Sequence, residues 1–210
     1  MPNQDLSIII PAKASGTFIL HKVEVLLDYL QAHWQGEFEV VICVNGELGE
    51  VEKTHALLEA KFAHDQRVVL HQHLAPLGKG AALQSAFLKT QYSAIAFIDA
   101  DLPFDLAFLS QAQEALGNGA SLVVGNRRLA SSRVHLPTKL LPSLFKRHVF
   151  GLLYNRAVRL MFGIKQSDTQ CGIKLMTRDF VTRLFCHLTC HGFSYDVEMF
   201  LLAQGHGDKV

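Results

Sequence analysis

The sequence lacks the features that mark several classes of protein. Its four cysteines follow no disulfide framework, so reduced thiols and a cytoplasmic location are expected. No apolar run reaches the roughly 18 residues of a membrane-spanning helix, and the N-terminus has no basic segment followed by an apolar one. The net charge is only +1, so no global field attracts nucleic acid and we expect no nucleic-acid partner.

What the sequence does have is enough apolar residues for a substantial core. Hydrophobic residues make up 49% of the 210 positions, which suits a single globular unit over residues 1–210. Short runs rich in Val, Ile and Phe predict strands at 6–10, 38–44, 68–71, 94–99 and 122–124. Apolar residues with helical spacing lie between them, at 19–30, 80–88 and 106–116. This alternation predicts an α/β fold with a mostly parallel sheet and helices on both faces.

The most informative stretch is Ile95–Pro103, an apolar run that ends in two carboxylates, Asp99 and Asp101. In an extended chain, residues two apart point to the same side, so both carboxylates are expected to face one Mg²⁺ or Mn²⁺. The carboxyl end of a strand is also where open α/β sheets bind ligands. The alternative is that the two aspartates cap the following helix. We favour the metal, because paired like charges at the end of a buried strand require a balancing cation.

A glycine-rich turn, Gly78-Lys79-Gly80, precedes a helical segment. Such a turn presents backbone N–H groups and a lysine to phosphates. Glycines at helix starts are also common in ordinary loops. The turn by itself supports a phosphate site and an ordinary loop equally well.

Residues 144–162 are a segment of a different kind, in which basic residues stand among bulky apolar ones. The basic residues are Lys146, Arg147, Arg156 and Arg159. A basic amphipathic helix of this type can lie in a membrane interface, with its cations on lipid phosphates. A core helix with basic residues at its ends fits the pattern equally well.

Two clusters nearer the C-terminus have two interpretations each. Cys186 and Cys190 are spaced to share a helix face, but the spacing matches no standard zinc pattern and favours a partly buried helix with free thiols. Asp196 and Glu198 either reach a site as a carboxylate pair, or one of them caps the last helix.

Several motifs, in order along nearly the whole chain, resemble family 2 glycosyltransferases of the GT-A fold. They are Ile8–Ala12, Gly78–Ala82, Phe97–Leu102, Gly125–Arg127 and Asp168–Leu175. The resemblance is closest to synthases of polyprenyl- and dolichyl-phosphate sugars, and Phe193–Glu198 makes it closest to dolichyl-phosphate glucose synthases. It implies a GT-A (Rossmann-like) sheet sandwiched by helices, with a nucleotide-sugar half over 1–125 and an acceptor half over 126–210.

The resemblance also implies a reaction, which is the metal-dependent, inverting transfer of a sugar from a nucleotide diphosphate sugar to a polyprenyl phosphate. A UDP-sugar is the favoured donor. Mg²⁺ or Mn²⁺ at Asp99 and Asp101 would neutralise the leaving diphosphate. A phosphate acceptor is already ionised at neutral pH, so no general base is required. A lipid-phosphate acceptor also favours peripheral contact of 144–162 with the cytoplasmic face of a membrane.

The implied site residues follow from the matching motifs. The guanidinium group of Arg127, and more loosely those of Arg128 and Arg133, matches phosphate oxygens in two-point geometry. The catalytic residues are then Asp99, Asp101 and Arg127; the donor site is Pro11, Ala12, Lys13, Asn45, Gly78, Lys79 and Asp99; and the acceptor site is Arg127, Arg133, Asp168 and Gln170.

The chain also departs from the family pattern. Lys13–Gly16 replaces the usual Tyr-Asn-Glu, and Asn45 stands where aspartates usually contact the base, so the identity of the nucleotide is open. The chain stops at 204–210, where family members continue, so it is a fragment or a minimal form. Two alternatives stay open. One is a transferase of the same fold that acts on a soluble or polysaccharide acceptor, and the other is a nucleotide-binding scaffold that has lost catalysis.

Overall fold

The computed structural model describes residues 4–13, 16–73, 77–102, 104–130, 132 and 141–210, with the backbone alone over 141–149. Among the predicted site residues, Arg133 lies outside this part of the chain. The side chains of Lys146 and Arg147 lie outside it as well.

The described residues form six strands and seven helices. The strands are β1 (Leu6–Lys13), β2 (Phe38–Asn45), β3 (Val68–His73), β4 (Ala94–Ile98), β5 (Leu122–Val124) and β6 (Ile173–Thr177). The helices are α1 (Phe18–His33), α2 (Leu48–Phe62), α3 (Lys79–Phe87), α4 (Phe108–Gly117), α5 (Leu141–Phe162), α6 (Arg178–His187) and α7 (Tyr195–His206).

The strands form one sheet in the order β3-β2-β1-β4-β6-β5. Strand β1 is parallel to β2 and β4, and β2 is parallel to β3, whereas β6 runs antiparallel to β4 and β5. The predicted α/β fold with a mostly parallel sheet is therefore confirmed. The sequence did not predict β6, and its direction matters for the site. Its first residue, Ile173, pairs with Ile98 at the end of β4.

Helices cover both faces of the sheet, because alternate strand residues point to opposite sides. On one face, called here the α1 face, residues such as Ile8 and Val40 pack against α1, α2 and α4. On the other, called the α3 face, residues such as Ile9 and Val41 pack against α3, α6 and α7. The predicted helical layers are thus present on both sides.

The two faces differ in polarity. In the described strands, the buried polar side chains are Ser7, Glu39, Asn45 and Lys174. Their alternation with the core residues places all four on the α3 face. Ser7 donates a hydrogen bond of 2.6 Å to Glu39, which also accepts one from the backbone of Gln91. The α3 face therefore combines an apolar core with internal polar contacts.

Helix α5 is largely exposed from residue 150 onward. Within 150–162 the buried residues are Asn155 and Val158. Leu153, Leu160 and Met161 are 60%, 76% and 75% exposed, which is the opposite of what a core helix shows. Over the described residues, no helix is both long enough and apolar enough to cross a membrane.

The cysteines are free, as the expected reduced thiols require. Helix α6 ends at His187, so Cys186 lies in its last turn and Cys190 lies in the loop that follows. The expectation that these two thiols share one helix face is therefore wrong. Burial raises the pKa of Cys43 to about 11, which keeps this thiol protonated at neutral pH.

Candidate active site

The ends of three strands meet at one edge of the sheet. Asp99 follows β4, Gly125 follows β5 and Gly172 precedes β6. The Asp99 N–H donates to the Gly172 carbonyl over 3.0 Å, and the Gly125 N–H donates to the Ile173 carbonyl over 3.0 Å. Because β6 is antiparallel, the segment that leads into it lies at the carboxyl ends of β4 and β5. Three of the sequence motifs are thereby brought together.

The two aspartates lie in a turn, and the extended geometry predicted for them is wrong. Strand β4 ends at Ile98, and the Leu102 N–H closes the turn by donating to the Asp99 carbonyl over 3.0 Å. Leu102 has a φ of 46°, a left-handed conformation that is uncommon for a residue other than glycine. Asp101 is exposed on this turn, and Asp99 is partly buried. Strained turns of this kind are frequent at ligand sites.

The alternative that the aspartates cap the next helix is not what the structure has. Helix α4 begins only at Phe108. The carboxylate that accepts a backbone N–H before this helix belongs to Asp105, which bonds Ala107 over 2.9 Å. Asp99 and Asp101 are therefore available for another role.

Lys79 and Asp99 form an ion pair across the site. The Lys79 Nζ lies 2.6 Å from Asp99 Oδ1, which joins two residues that the motifs placed in the donor site. On its other side the Asp99 carboxylate packs against Gly172. A Cβ at Gly172 would overlap Oδ2 and lie 2.8 Å from Cγ, so only glycine leaves room for this carboxylate.

The acidic turn fits a cation that is shared with a ligand. Carboxylate oxygens are the ligands that Mg²⁺ and Mn²⁺ prefer, and Mg²⁺ sites commonly combine one or two carboxylates with substrate phosphates. Within the described residues, no group of three His, Cys, Asp or Glu side chains is arranged to hold a metal ion. Asp99 and Asp101 thus fit a metal that binds together with a phosphate group better than one held by protein ligands alone.

Arg127 is fixed by Asp168 in two-point geometry. Its Nε and Nη2 donate to the two carboxylate oxygens over 2.7 and 2.9 Å, and Nη2 also donates to the Gln170 carbonyl over 3.0 Å. The carboxylate of Asp168 is 1% exposed, whereas the side chain of Arg127 is 53% exposed. The structure therefore brings together three residues of the predicted acceptor site. Asp168 lies beneath the guanidinium group, not on the surface.

The electrostatics of this pair follow from its burial. Burial by itself opposes the ionisation of Asp168, but the hydrogen bonds and charge of Arg127 outweigh it and lower the pKa of this carboxyl group. The hydrogen bond to Asp168 raises the pKa of Arg127, against the effect of burial. The Asp99 charge contributes in the same direction, so Arg127 lies within electrostatic reach of the acidic turn. At neutral pH, both members of the pair are charged.

Arg128 connects the site to α5 instead of standing free in solvent. It donates to Asn155 over 3.0 Å, and Asn155 donates to Thr169 over 2.9 Å. Nearby, Asn126 donates to Ser167 over 2.7 Å. Sequence reasoning missed Asn155, and its signal was a lone amide within an apolar helix. These bonds fix the segment before β6 against α5.

The predicted anion cradle at the start of α3 is occupied by protein. The N–H groups of Gly80 and Ala81 donate to the carbonyls of Gly192 and His191 over 3.3 and 3.1 Å. A Cβ at Gly78 would overlap the His191 carbonyl. These glycines therefore allow a loop to approach, and the backbone N–H groups of Gly80 and Ala81 are not open to phosphate. The charge that this turn offers to a ligand is the Lys79 side chain.

The remaining predicted donor residues lie along the same edge of the sheet. Lys13 at the end of β1 is level with Asn45 at the end of β2. Lys13 is exposed and Pro11 is half-buried, whereas Ala12 is fully buried and Asn45 is 6% exposed. Ala12 faces the α1 core, so it offers no side chain to this edge.

A third ion pair lies beneath the site. Lys174 Nζ is 2.9 Å from Asp196 Oδ1, and both side chains are buried. Sequence reasoning missed Lys174, although a lysine within the apolar run Ile173–Thr177 was a signal for a buried cation. Asp196 is therefore not part of a carboxylate pair that reaches the site.

Glu198 also lies away from the site. Its carboxylate accepts hydrogen bonds from the backbone of Thr189 and Cys190 over 2.9 and 3.0 Å, and from the Thr189 hydroxyl. Burial opposes its ionisation, but these bonds lower the pKa of Glu198. This residue holds the loop whose carbonyls cover the start of α3.

Comparison with known proteins identifies the family. The sequence profile of "Glycosyl transferase family 2" matches residues 7–185. Glycosyltransferase AglD of Haloferax volcanii is 26% identical over 98% of this chain and 32% of its own length. The dolichyl-phosphate beta-glucosyltransferase ALG5D of Trichomonas vaginalis is 28% identical over 100% of this chain and 64% of its own length. The human dolichyl-phosphate beta-glucosyltransferase is 24% identical over 97% of this chain and 64% of its own length.

The fold of this chain is also similar to that of solved structures. Glucosyl-3-phosphoglycerate synthase from Mycobacterium tuberculosis, in complex with Mn²⁺, UDP-glucose and phosphoglyceric acid, superposes with a TM-score of 0.61. The superposition covers 97% of this chain and 66% of that one, at 19% identity. This chain spans 32% to 64% of the length of these sequence relatives.

Proposed function

This chain belongs to glycosyl transferase family 2, and we propose that it transfers a sugar, with inversion, from a nucleotide diphosphate sugar to a polyprenyl phosphate. The observation that carries the proposal is the meeting of the acidic turn, Lys79 and Arg127 at the carboxyl edge of the sheet. This reaction needs two acids to hold a metal, a lysine to bind the diphosphate and an arginine to bind the acceptor phosphate. Family membership and the dolichyl-phosphate relatives support the same reaction.

On the donor side, Lys79 binds the diphosphate directly, and Asp99 and Asp101 would bind it through a metal ion. Mg²⁺ or Mn²⁺ held by the two aspartates would supply Lewis-acid neutralisation of the leaving group. Lys79 is paired with Asp99, so its ammonium group is held where phosphate oxygens would arrive. When the donor binds, the ammonium group of Lys79 moves from the Asp99 carboxylate oxygen to a phosphate oxygen of the donor. Lys13 and Asn45 at the adjacent strand ends contact the nucleoside, and UDP is the favoured nucleotide.

On the acceptor side, Arg127 binds the lipid phosphate. Its Nε and Nη2 are engaged by Asp168 and Gln170, which leaves Nη1 without a hydrogen-bond partner among the described residues. Asp168 and Gln170 act by holding the guanidinium group at a fixed angle, so that the two N–H groups of Nη1 are presented to the phosphate. The acceptor oxygen is ionised at neutral pH and attacks the sugar without a general base.

Helix α5 provides the contact with a membrane in this proposal. Its described part exposes Leu153, Leu160 and Met161 together with the cation of Arg156. Exposed aliphatic side chains mixed with arginine suit the boundary between acyl chains and anionic headgroups. Arg128 ties this helix to the site through Asn155, so a lipid phosphate at the surface arrives beside Arg127. The cytoplasmic face of the membrane remains our prediction for its location.

Vesicle sedimentation tests the membrane contact. We expect the protein to sediment with vesicles that contain anionic lipid, and the double substitution Leu160→Glu and Met161→Glu to remove most of this binding. The matched control is Leu88→Glu, because Leu88 is 80% exposed on another part of the surface. Unchanged sedimentation of the double variant would contradict the proposed contact.

The reaction itself is tested by donor binding, measured as a thermal shift. UDP-, GDP-, dTDP- and CMP-sugars are compared with Mn²⁺ and with chelator, since a ligand at about 100 times its Kd stabilises by roughly 2.7 kcal/mol. We expect a rise with UDP-glucose and Mn²⁺ that chelator removes. Asp101→Asn is expected to remove this rise while the unliganded protein stays folded. Asp105→Asn is the matched control, because this nearby acid accepts a hydrogen bond from the backbone at the start of α4.

The outcomes separate the proposal from its alternatives. No shift with any nucleotide sugar contradicts a transferase, and a shift that is independent of metal and of Asp101 favours a nucleotide-binding scaffold. Where the donor binds, transfer is assayed onto a polyprenyl phosphate and onto phosphoglyceric acid. Product from the second acceptor alone would favour a transferase of the same fold with a soluble acceptor.

A further inference from the structure

The buried side chains Lys174, Tyr195 and Asp196 lie directly beneath the acidic turn, and the function proposed above gives them no task. We propose that these three residues position Asp99 and Lys79 for the diphosphate-bound metal. This inference rests on the proposed function. It adds three positioning residues that do not themselves touch the donor.

The first connection runs through the backbone. Lys174 Nζ donates a hydrogen bond of 2.6 Å to the Cys171 carbonyl. The next residue, Gly172, accepts the hydrogen bond of the Asp99 N–H and packs against the Asp99 carboxylate. The ammonium group of Lys174 therefore fixes the segment against which Asp99 rests.

The second connection runs through the Tyr195 ring. The Nζ atoms of Lys79 and Lys174 lie 5.7 and 5.6 Å from the centre of this ring, within the range of cation–π attraction. Tyr195 is fully buried, so the ring cannot move aside without opening the core. It thus supports the Lys79 side chain, whose ammonium group reaches Asp99.

The geometry of this network is poor for stability alone. The Asp196 Oδ1 atom lies 2.9 Å from Lys174 Nζ but has no well-aligned hydrogen-bond donor among the described residues, and the Tyr195 hydroxyl has there only a poorly aligned contact with Asp196. Buried ion pairs can often be replaced by apolar residues without loss of stability. Met176, two residues along β6, points to the same α3 face and is fully buried, so an apolar side chain suits this layer. A network with these defects is better explained by what it holds in place.

The test replaces the ion pair with apolar residues. The double substitution Lys174→Met and Asp196→Leu removes both charges together, so that neither is left buried alone. The matched control is Arg183→Met and Asp208→Leu, because this pair also joins a helix to a distant segment at 2.8 Å but, in the part of the chain that the structure describes, does not contact the site. Hydrogen exchange of the Asp99 amide is measured without ligand. The Kd of UDP is measured with Mn²⁺ and with chelator.

We expect the double variant to exchange its Asp99 amide at least about tenfold faster, because the Gly172 segment loses its anchor. Its Kd for UDP with Mn²⁺ is expected to rise about tenfold, as for loss of a residue that orients a metal ligand, with no change in chelator. The control should change neither quantity. A folded double variant with unchanged exchange and unchanged Kd would overturn the proposal.

A second pair of variants decides the matter if the double variant does not fold. Tyr195→Leu removes the ring and is expected to weaken Mn²⁺-dependent binding of UDP, whereas Tyr195→Phe keeps the ring and should bind as the original protein does. Equal affinity in these two variants would overturn the role of the ring. If the original protein binds no UDP but its Asp99 exchange still responds to the double substitution, the positioning role stands and the proposed donor is wrong.

Discussion

The two faces of the sheet use the same strands in different ways. On the α1 face, alternate residues of β1, β2 and β4 pack against α1, α2 and α4 in a layer of aliphatic and aromatic residues, with Thr54 of α2 as a buried polar side chain. On the α3 face, the same strands carry Ser7, Glu39 and Asn45, and Lys174 joins them from β6. The residues that continue this face beyond the strand ends include Asp99, which follows Ile95 and Phe97 at intervals of two.

This difference separates stability from function within a single sheet. A polar group in a core must be paired, and each pairing constrains the residues that surround it. The α1 face has no such constraint in its described strands and acts as a hydrophobic support. The α3 face contains such paired polar groups. Its helices α3 and α7 place Lys79 and Tyr195 next to Asp99. The comparison predicts that substitutions on the two faces affect different measurements.

The largest effect is expected from a cavity on the α1 face. Leu26 is fully buried in α1 and packs in that core. Leu26→Ala should lower the free energy of unfolding by about 3 kcal/mol, within the usual range for a buried leucine. Urea denaturation measures this loss. The folded variant should keep its Kd for the nucleotide and its metal dependence, and a changed metal dependence would break the separation between the faces.

A somewhat smaller effect, on catalysis instead of stability, is expected at the site end of the α3 face. Gly172→Ala places a methyl group against the Asp99 carboxylate and displaces it. A misplacement of about 1 Å costs roughly 100-fold in kcat, or about 2.7 kcal/mol of transition-state stabilisation. Steady-state kinetics with donor and acceptor measure it. Gly192→Ala is the matched control, because a Cβ there has no neighbour within 4 Å. Similar kcat values in the two variants would remove Gly172 from the site.

The sequence predicts the α1 face better than the α3 face, for a physical reason. Apolar periodicity reports burial against a helix, so the strands from β1 to β5 and the apolar face of α1 follow from it directly. Strand β6 escapes this reasoning because Lys174 interrupts its apolar run. A lysine in a strand usually marks a solvent-exposed side, and its burial depends on Asp196, a residue 22 positions along the chain. Such long-range pairs leave no periodic signal.

The site shows the same limit. The motifs identify Asp99, Lys79, Arg127 and Asp168, and the structure brings these residues into two ion pairs. What the motifs do not contain is the arrangement of the pairs. The turn at Leu102 and the capping of α3 by the loop before α7 are tertiary features. Local sequence therefore indicates which residues form the site, and the sheet topology determines how they meet.

The smallest effect concerns pH, and it compares two arginine–carboxylate pairs, one beside the α1 core and one at the site. Arg67 holds Asp65 beside Phe38 of the α1 core, and Arg127 holds Asp168 at the site. In each case the folded pKa of the aspartate lies below the unfolded value of about 3.9, so the pair stabilises the fold above that pH. The stabilisation is lost as the pH falls through the folded pKa.

This comparison is tested by measuring the free energy of unfolding between neutral pH and pH 2.5. The measurement is made on the original protein and on the variants Asp168→Asn and Asp65→Asn. The difference between the original protein and each variant should be constant near neutrality and should shrink below about pH 4. We expect a larger difference for Asp168, because its carboxylate is 1% exposed, whereas that of Asp65 is 23% exposed and better screened by water. Equal differences for the two variants would mean that burial at the site adds nothing to its ion pair. The separation between a supporting face and a functional one would then rest on geometry alone.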